Sequence, residues 1–401
     1  MLERRNMWDY MEHQKEGAKW ALNTIRNYGL AYLAWEERTR KTGTALLTVE
    51  NSKAKTCLII TTKKALDGWH EHFRNLPLTK QYTVINYHSI HKVIGSFDFI
   101  IIDEAHTNIS AIKPSTLWKK IRPFTKGKPI LYLSATPFAE HLGLLYHQFK
   151  LSDWTPFKKY TTFYSWFRAF GKSHKTRTPY GLVETYTKYQ DEKILKEVDH
   201  LFNYKTRAEV GVEHEPQTNV IVIKPSEDTL ELVKQLDSEI LKIAGRKILI
   251  ESDMKQRTLH YQIEGSAIKL SDTECYYVSS MEKINYIKAN YDTKNIAIMA
   301  NFVCERNLLS ANIPEALILS ADGHSEGVDL SHIDKLIIYS MSFKTSKHQQ
   351  RLARQCNHNR TKPIIVDILV MDKPLIGKAV YETVAVKREN FIKNSYERAL
   401  V

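Results

Sequence analysis

The chain has 401 residues, with 58 Lys and Arg against 45 Asp and Glu and a net charge of +13. That length allows two domains with a core each. The basic excess suits a polyanionic partner, nucleic acid first, or else a generally basic, soluble surface. No apolar run approaches the ~20 residues needed to cross a bilayer, and Met1–Asn6 lacks the apolar core of a secretion signal. Cys57, Cys275, Cys304 and Cys356 lack the paired spacing of a zinc site or disulfide framework. The expectation is a cytoplasmic protein with no membrane contact and with reduced structural thiols.

Strands are expected in the first 150 residues at Leu30–Trp35, Cys57–Thr61, Tyr82–Asn86, Phe97–Ile102 and Pro129–Leu133, separated by polar, helix-like connections. That alternation predicts a parallel sheet covered by helices on both faces. Ligands of such sheets bind beyond the carboxyl ends of the strands, so the residues after each strand are the candidates. After the first comes Trp35–Leu46, with Lys41-Thr42 opening a helix, the context of a phosphate-binding loop. Lys41 would reach the terminal phosphates and Thr42 the metal, with Arg38, Thr39 and Arg40 completing the cradle. Arg38 and Arg40 stand where such loops carry glycine, whose freedom lets backbone N–H groups curl around phosphate. A charge-rich surface helix start explains the same residues.

After Phe97–Ile102 come Asp103, Glu104, Ala105 and His106. Asp103 offers an oxygen ligand to Mg²⁺, and Glu104 a base for an attacking water. After Pro129–Leu133 come Ser134, Ala135 and Thr136, whose hydroxyls are placed to bond the acidic pair and relay its state, with His106.

From about Leu151 to Arg207 the chain changes character. Trp154, Phe157, Tyr160, Phe163, Tyr164, Trp166, Phe167 and Phe170 are interleaved with Lys158, Lys159 and Arg168, which reads as an aromatic helical core. Gly171–Gly181 follows as a basic loop whose Lys172, His174, Lys175 and Arg177 suit phosphates, as a loop or hairpin against a duplex. A polar helical stretch, Asp228–Gly245, precedes Lys255–Gly265. A second set of strands is expected at Asn295–Met299, Ala316–Ser320, Leu336–Ser340 and Pro363–Leu369.

These residues, in this order, resemble superfamily 2 helicases and translocases, especially compact DEAD/H-box and Snf2-like forms of the kind phages encode. Lys41-Thr42 resembles motif I, Asp103–His106 motif II and Ser134–Thr136 motif III. Tyr10, His13 and Gln14 resemble a Q-like motif, which implies adenine recognition by Gln14. Ile59–Lys64 resembles motif Ia, with Thr61 and Lys63 facing nucleic acid, and Asn86–Ser89 resembles the next such motif, with Tyr87. Ala297–Asn301 stands where motif IV would, giving Asn301. Ala321–Leu330 resembles motif V, with Gly327 and Asp329 on the nucleotide and Ser325 nearer nucleic acid. Gln349–Asn357 resembles motif VI, in which Gln350 and Arg354 would act on the γ-phosphate, Arg354 as the finger, with Arg351 supporting. The family's last arginine falls at Asn357, and Arg360 is its substitute.

The resemblance implies two tandem RecA-like lobes with ATP and Mg²⁺ between them: residues 1–150, then a largely helical, aromatic-rich insertion at 151–207, then residues 208–401. It implies an ATP-driven DNA motor, a helicase acting on forked or branched DNA in replication, recombination or repair, for which a monomer suffices. The alternatives are a Snf2-like duplex translocase without strand separation and a degenerate ATPase that only binds nucleic acid. A restriction-type motor with its own nuclease is disfavoured, since no nuclease-like cluster of carboxylates and lysine stands out.

Overall fold

The computed structural model describes residues 9–109, 112–138, 141–178, 181–211, 216–321, 333–343, 348, 351–352 and 365–387, with the side chains of 176–178 and 187 left out. The described residues fall into two compact units, one within 1–174 and 185–212, the other within 175–184 and 213–391.

The first unit opens with α1 (Glu12–Tyr28), which ends at Gly29 in left-handed backbone (φ 73°). A Cβ there would lie 2.3 Å from the Trp154 indole, so both conformation and space demand glycine. Then follow β1 (Leu30–Trp35), α2 (Lys41–Glu50), β2 (Thr56–Thr61), α3 (Leu66–Asn75), β3 (Gln81–Asn86), β4 (Phe99–Asp103), α4 (Ala105–Asn108), α5 (Thr116–Thr125) and β5 (Ile130–Leu133). The sheet runs β3-β2-β4-β5-β1, all parallel, and gains β8 (Phe202–Lys205) beside β1. Residues 202–205, expected in the insertion, therefore belong to this sheet.

Alternation along each strand splits the core. Ala31, Leu33, Trp35, Ile59, Ile101 and Leu133 pack together on one face. On the other, Tyr32 stacks on Tyr132 (centroids 5.3 Å apart) and on Phe202 (4.8 Å). Both faces are buried, as a parallel sheet requires.

After β5 comes α6 (Leu144–Phe149), and the insertion contains α7 (Phe163–Phe170), β6 (Gly171–Thr178), β7 (Gly181–Tyr189) and α8 (Asp191–Val198). Phe157, Phe163, Trp166, Phe167 and Phe170 are buried, whereas Trp154 and Tyr164 are exposed. Of the two forms expected for the basic stretch, loop or hairpin, the structure has the second: it is a strand, β6, paired with β7 in a two-stranded ribbon.

The second unit has β9 (Gln217–Ile223), α9 (Glu227–Gln235), β10 (Ile240–Ile243), β11 (Arg246–Leu249), α10 (Asp253–Glu264), β12 (Ala267–Lys269), β13 (Cys275–Tyr277), α11 (Glu282–Asn290), β14 (Ile296–Ala300), α12 (Val303–Asn312), β15 (Leu317–Ser320), β16 (Lys335–Ile338) and β17 (Ile365–Met371). Its five-stranded sheet, β15-β14-β16-β17-β9, is parallel throughout. Ile296, Ile298 and Ala300 enter one core, and Ala297 and Met299 the other. The two units are thus tandem RecA-like lobes, parallel sheets flanked by helices. The stretch Asp228–Gly245 is only partly helical, since the β10–β11 hairpin follows α9. The thiols are a second correction: Cys275 and Cys304 form a disulfide, Cys57 is free and buried, and Cys356 lies outside the described residues. Among the described residues no helix is long and apolar enough to cross a membrane.

Candidate nucleotide site and its neighbours

Because the first sheet is parallel and β5 lies between β4 and β1, residues 36–42, 103–106 and 134–136 emerge at one edge, side by side. The loop after β1 is tied down at both ends. The Glu36 N–H donates to the Lys205 carbonyl (2.9 Å), and the Thr39 hydroxyl to the Glu36 carbonyl (2.6 Å). Arg38 and Arg40 adopt φ of 67° and 62°. A non-glycine residue there costs about 1–2 kcal/mol, yet such backbone is what turns successive N–H groups toward an anion. The loop thus keeps a glycine-like path with arginine side chains.

Helix α1 braces it. His13 Nε2 lies 3.1 Å from the Thr39 carbonyl, and Gln14 Nε2 donates to the Arg40 carbonyl (3.3 Å). Gln14 also accepts from the Met11 N–H (3.0 Å) and is 3 % exposed. Expected to read adenine, it bonds the backbone of the phosphate loop here. Burial, followed by the charges of Lys205 and Arg40, lowers the His13 pKa against the bond to Thr39. Arg207, just past β8, pairs with Glu36 (3.9 Å) and Glu37 (3.8 Å), so β8 anchors the start of the loop.

Lys41 opens α2, with Thr42 next in its first turn. Lys41 Nζ donates to the Trp35 carbonyl (3.3 Å) and lies 3.9 Å from Glu104 Oε1. Glu104, in left-handed backbone (φ 54°, ψ 43°), breaks β4 so that the acidic pair turns out of the sheet. Burial raises the pKa of Asp103 against Lys41, Thr61 and Trp69. It raises that of Glu104 too, helped by Asp103 and Glu37 and opposed by Lys41 and Ser134. Two carboxyls beside one ammonium leave a deficit of positive charge, so oxygen donors and local charge both fit a hard divalent cation.

Ser134 joins the remaining members. Its hydroxyl donates to Glu104 Oε2 (2.9 Å) and lies 3.1 Å from His106 Nδ1. Thr136 Oγ1 lies 3.4 Å from His106 Nε2, and its N–H donates to Ser134 Oγ (3.0 Å). The structure therefore brings together Lys41, Asp103, Glu104, His106, Ser134 and Thr136.

Three residues expected at nucleic acid bond to their own lobe instead. Thr61 is 0 % exposed, and its hydroxyl donates to Asp103 Oδ2 (2.8 Å). Tyr87 is buried, and its hydroxyl donates to the Asp103 carbonyl (2.6 Å). Asn301 donates to the Ser340 and Met341 carbonyls (3.1 and 2.5 Å) and accepts from Arg351 (2.7 Å). Arg351, expected at nucleotide, is itself buried on Asn301. Motif position identified these segments but not which way the side chains point. Lys63, Lys172 and Lys175 are exposed, as a phosphate contact requires, and Arg177 lies on β6. Ser325, Gly327, Asp329, Gln350, Arg354, Asn357 and Arg360 lie outside the described residues. Sequence reasoning missed Trp69, which donates its indole N–H to Asp103 Oδ2 (3.3 Å), and Arg207. The first carried one signal, since a buried indole needs an acceptor.

Residues 19–139 match the family described as "Type III restriction enzyme, res subunit". That description revives the restriction-type motor disfavoured above, but it is said of the family and its match ends at residue 139. No curated protein matches by sequence. Among solved structures, the Sulfolobus solfataricus SWI2/SNF2 ATPase core in complex with dsDNA is similar at 13% identity and a TM-score of 0.45, over 98% of this chain and 94% of that chain. The core domain of the same ATPase is similar at 12% identity and a TM-score of 0.42, over 98% and 93%. The family match over residues 19–139 and the strand-end geometry of the first lobe support the resemblance to superfamily 2 helicases and translocases.

Proposed function

We propose that the chain is an ATP-dependent DNA motor with its nucleotide site at the strand ends of the first lobe. The observation that carries this reading is Lys41 Nζ, 3.9 Å from the Glu104 carboxylate and opposite a buried Asp103, on a loop that keeps left-handed backbone at Arg38 and Arg40. Lys41 binds the terminal phosphates, and Thr42 and Asp103 hold Mg²⁺, which when bound neutralises charge on the phosphate oxygens. Glu104 orients the attacking water and takes its proton. Ser134 and His106 fix the Glu104 carboxylate, and Thr136 carries its state onward. From the second lobe, Gly327 and Asp329 bind nucleotide, Gln350 acts at the γ-phosphate and Arg354 supplies the finger.

Residues 1–150 form the ATP-binding lobe, with 202–205 completing its sheet, and 208–401 form the second lobe. The ribbon with Lys172, Lys175 and Arg177 grips phosphates, together with Lys63 and Ser325. The retained loop path speaks against a degenerate ATPase.

Steady-state ATPase and strand-separation assays on single-stranded, duplex and forked DNA test this. ATPase stimulation with release of a strand from the fork is the expected result. Stimulation by duplex without strand release makes the protein a translocase, and DNA binding without turnover makes it a binding module.

A further inference from the structure

Asp103 is held from three directions by residues outside the phosphate loop. Thr61, at the end of β2, and Trp69, on α3, both donate to Oδ2 (2.8 and 3.3 Å), while Tyr87 donates to the main-chain carbonyl (2.6 Å). All three side chains are buried. Charge-assisted bonds of this kind, inside a protein, fix an acceptor strongly. Two donors on one oxygen also decide which oxygen remains for something else.

Two of the anchors sit in short segments whose outer side chains are largely basic or imidazole. Lys63 and Lys64 follow Thr61, and His88, His91 and Lys92 follow Tyr87, all exposed, whereas Trp69 lies among exposed Asp67, His70 and Glu71. The Thr61 and Tyr87 segments therefore turn a polar anchor toward Asp103 and a basic rim outward.

We propose that Thr61, Trp69 and Tyr87 are positioning residues that lock Asp103 with Oδ1 presented to a divalent cation, and that Thr61 and Tyr87 link the basic rim to the metal end of the site. The proposal rests on the reading of Asp103 as the metal-binding carboxylate. A polyanion on the rim would press the segments into one arrangement, and the anchors would pass that order to the carboxylate. Partners that orient a ligating side chain are worth about 10–100-fold in metal affinity.

The test is Mn²⁺ binding to the full chain with a non-hydrolysable ATP analogue, followed by the electron paramagnetic resonance of free Mn²⁺, with and without duplex DNA. Thr61→Val and Trp69→Phe are expected to weaken Mn²⁺ about tenfold, and Thr61→Ser, which keeps the hydroxyl, to restore it to within about twofold. Duplex DNA is expected to raise the wild-type affinity at least about fivefold, and Tyr87→Phe to remove that gain. If Asp103→Asn binds Mn²⁺ like the wild type, the metal reading fails and takes this proposal with it. If Asp103→Asn loses Mn²⁺ while Thr61→Val and Trp69→Phe retain it, the site stands and the positioning role is overturned. A wild-type affinity that DNA leaves unchanged overturns the link to the rim.

Discussion

At the strand ends of the first lobe, Arg38, Arg40 and Glu104 hold left-handed backbone, and a half-buried Glu104 carboxyl lies 3.9 Å from Lys41 beside a buried Asp103. At the strand ends of the second lobe, polar groups close on one another. Asn301, after β14, bonds the chain after β16 and receives Arg351, and Ser340 donates to Glu305 Oε2 (2.6 Å). Nearby, Lys283 pairs with Glu264 (3.0 Å) and donates to the Tyr339 carbonyl (2.8 Å), while Glu264 accepts from the Met371 and Gly377 N–H groups. Among the described residues of the second lobe, the left-handed non-glycine ones, Glu239, Ala244, Ser266 and Met281, fall at turns and helix starts instead. Backbone strain at Arg38, Arg40 and Glu104 persists where a ligand repays it, whereas the buried Lys283–Glu264 pair of the second lobe is satisfied from within the lobe.

The sharpest way to break this contrast is Lys283→Met, which leaves the Glu264 carboxylate buried without its counter-charge. A loss of about 3–5 kcal/mol is expected in urea unfolding, largely recovered by adding Glu264→Gln. A near-neutral single variant would mean that the second lobe's pair is no brace. Ser134→Ala removes a donor that holds both Glu104 and His106 and leaves Lys41 in place. It should cut ATPase turnover about tenfold or more, an effect of about 1.5 kcal/mol or more. Equal turnover would detach that hydroxyl from the chemistry.

Arg38→Gly and Arg40→Gly sharpen the claim of strain. Each should stabilise the chain by about 0.5–1 kcal/mol, since the relief exceeds glycine's added freedom when unfolded. Arg→Ala at the same positions keeps the left-handed penalty and should not stabilise, and equal melting shifts for Gly and Ala would deny the strain. The smallest effect concerns Glu50, away from the site. Burial raises its pKa, but bonds from the Thr79 hydroxyl, Tyr82 and the Thr79 and Lys80 N–H groups outweigh this and hold it below 4.5. A lowered carboxyl stabilises the fold above its ordinary pKa and loses that contribution as pH falls through the folded value. Glu50→Gln should therefore flatten the acid limb of the melting temperature against pH, and an unaltered limb would refute it.

Strands were legible where burial wrote continuous apolar runs. Leu30–Trp35, Phe99–Asp103 and Ile130–Leu133 lie within two residues of the expected bounds. They were not legible where the code is tertiary. β6, Gly-Lys-Ser-His-Lys-Thr-Arg-Thr, has no apolar alternation and owes its form to pairing with β7. β8 has four residues and needs β1 beside it, and β9 is an edge strand with outward-facing residues. Cys275 and Cys304, 29 residues apart, meet because β13 and α12 do.

The site divides in the same way. Lys41, Asp103, Glu104 and Ser134 follow strands whose order places them together, so their juxtaposition could be inferred from strand ends. Thr61, Tyr87 and Asn301 bond within their own lobe for reasons of register and local turns, which motif spacing does not encode. Trp69 signalled only that its indole needs an acceptor, because that acceptor, Asp103, is distant in sequence.

The most direct test of the central claim is ATP turnover by the wild type and by Glu104→Gln, with and without duplex DNA, beside nucleotide binding by both. The account predicts DNA-stimulated hydrolysis in the wild type and binding without turnover in the variant, a loss of about 10²–10⁴-fold. Wild-type protein that binds DNA but hydrolyses nothing, or a variant that turns over as fast as the wild type, would contradict it.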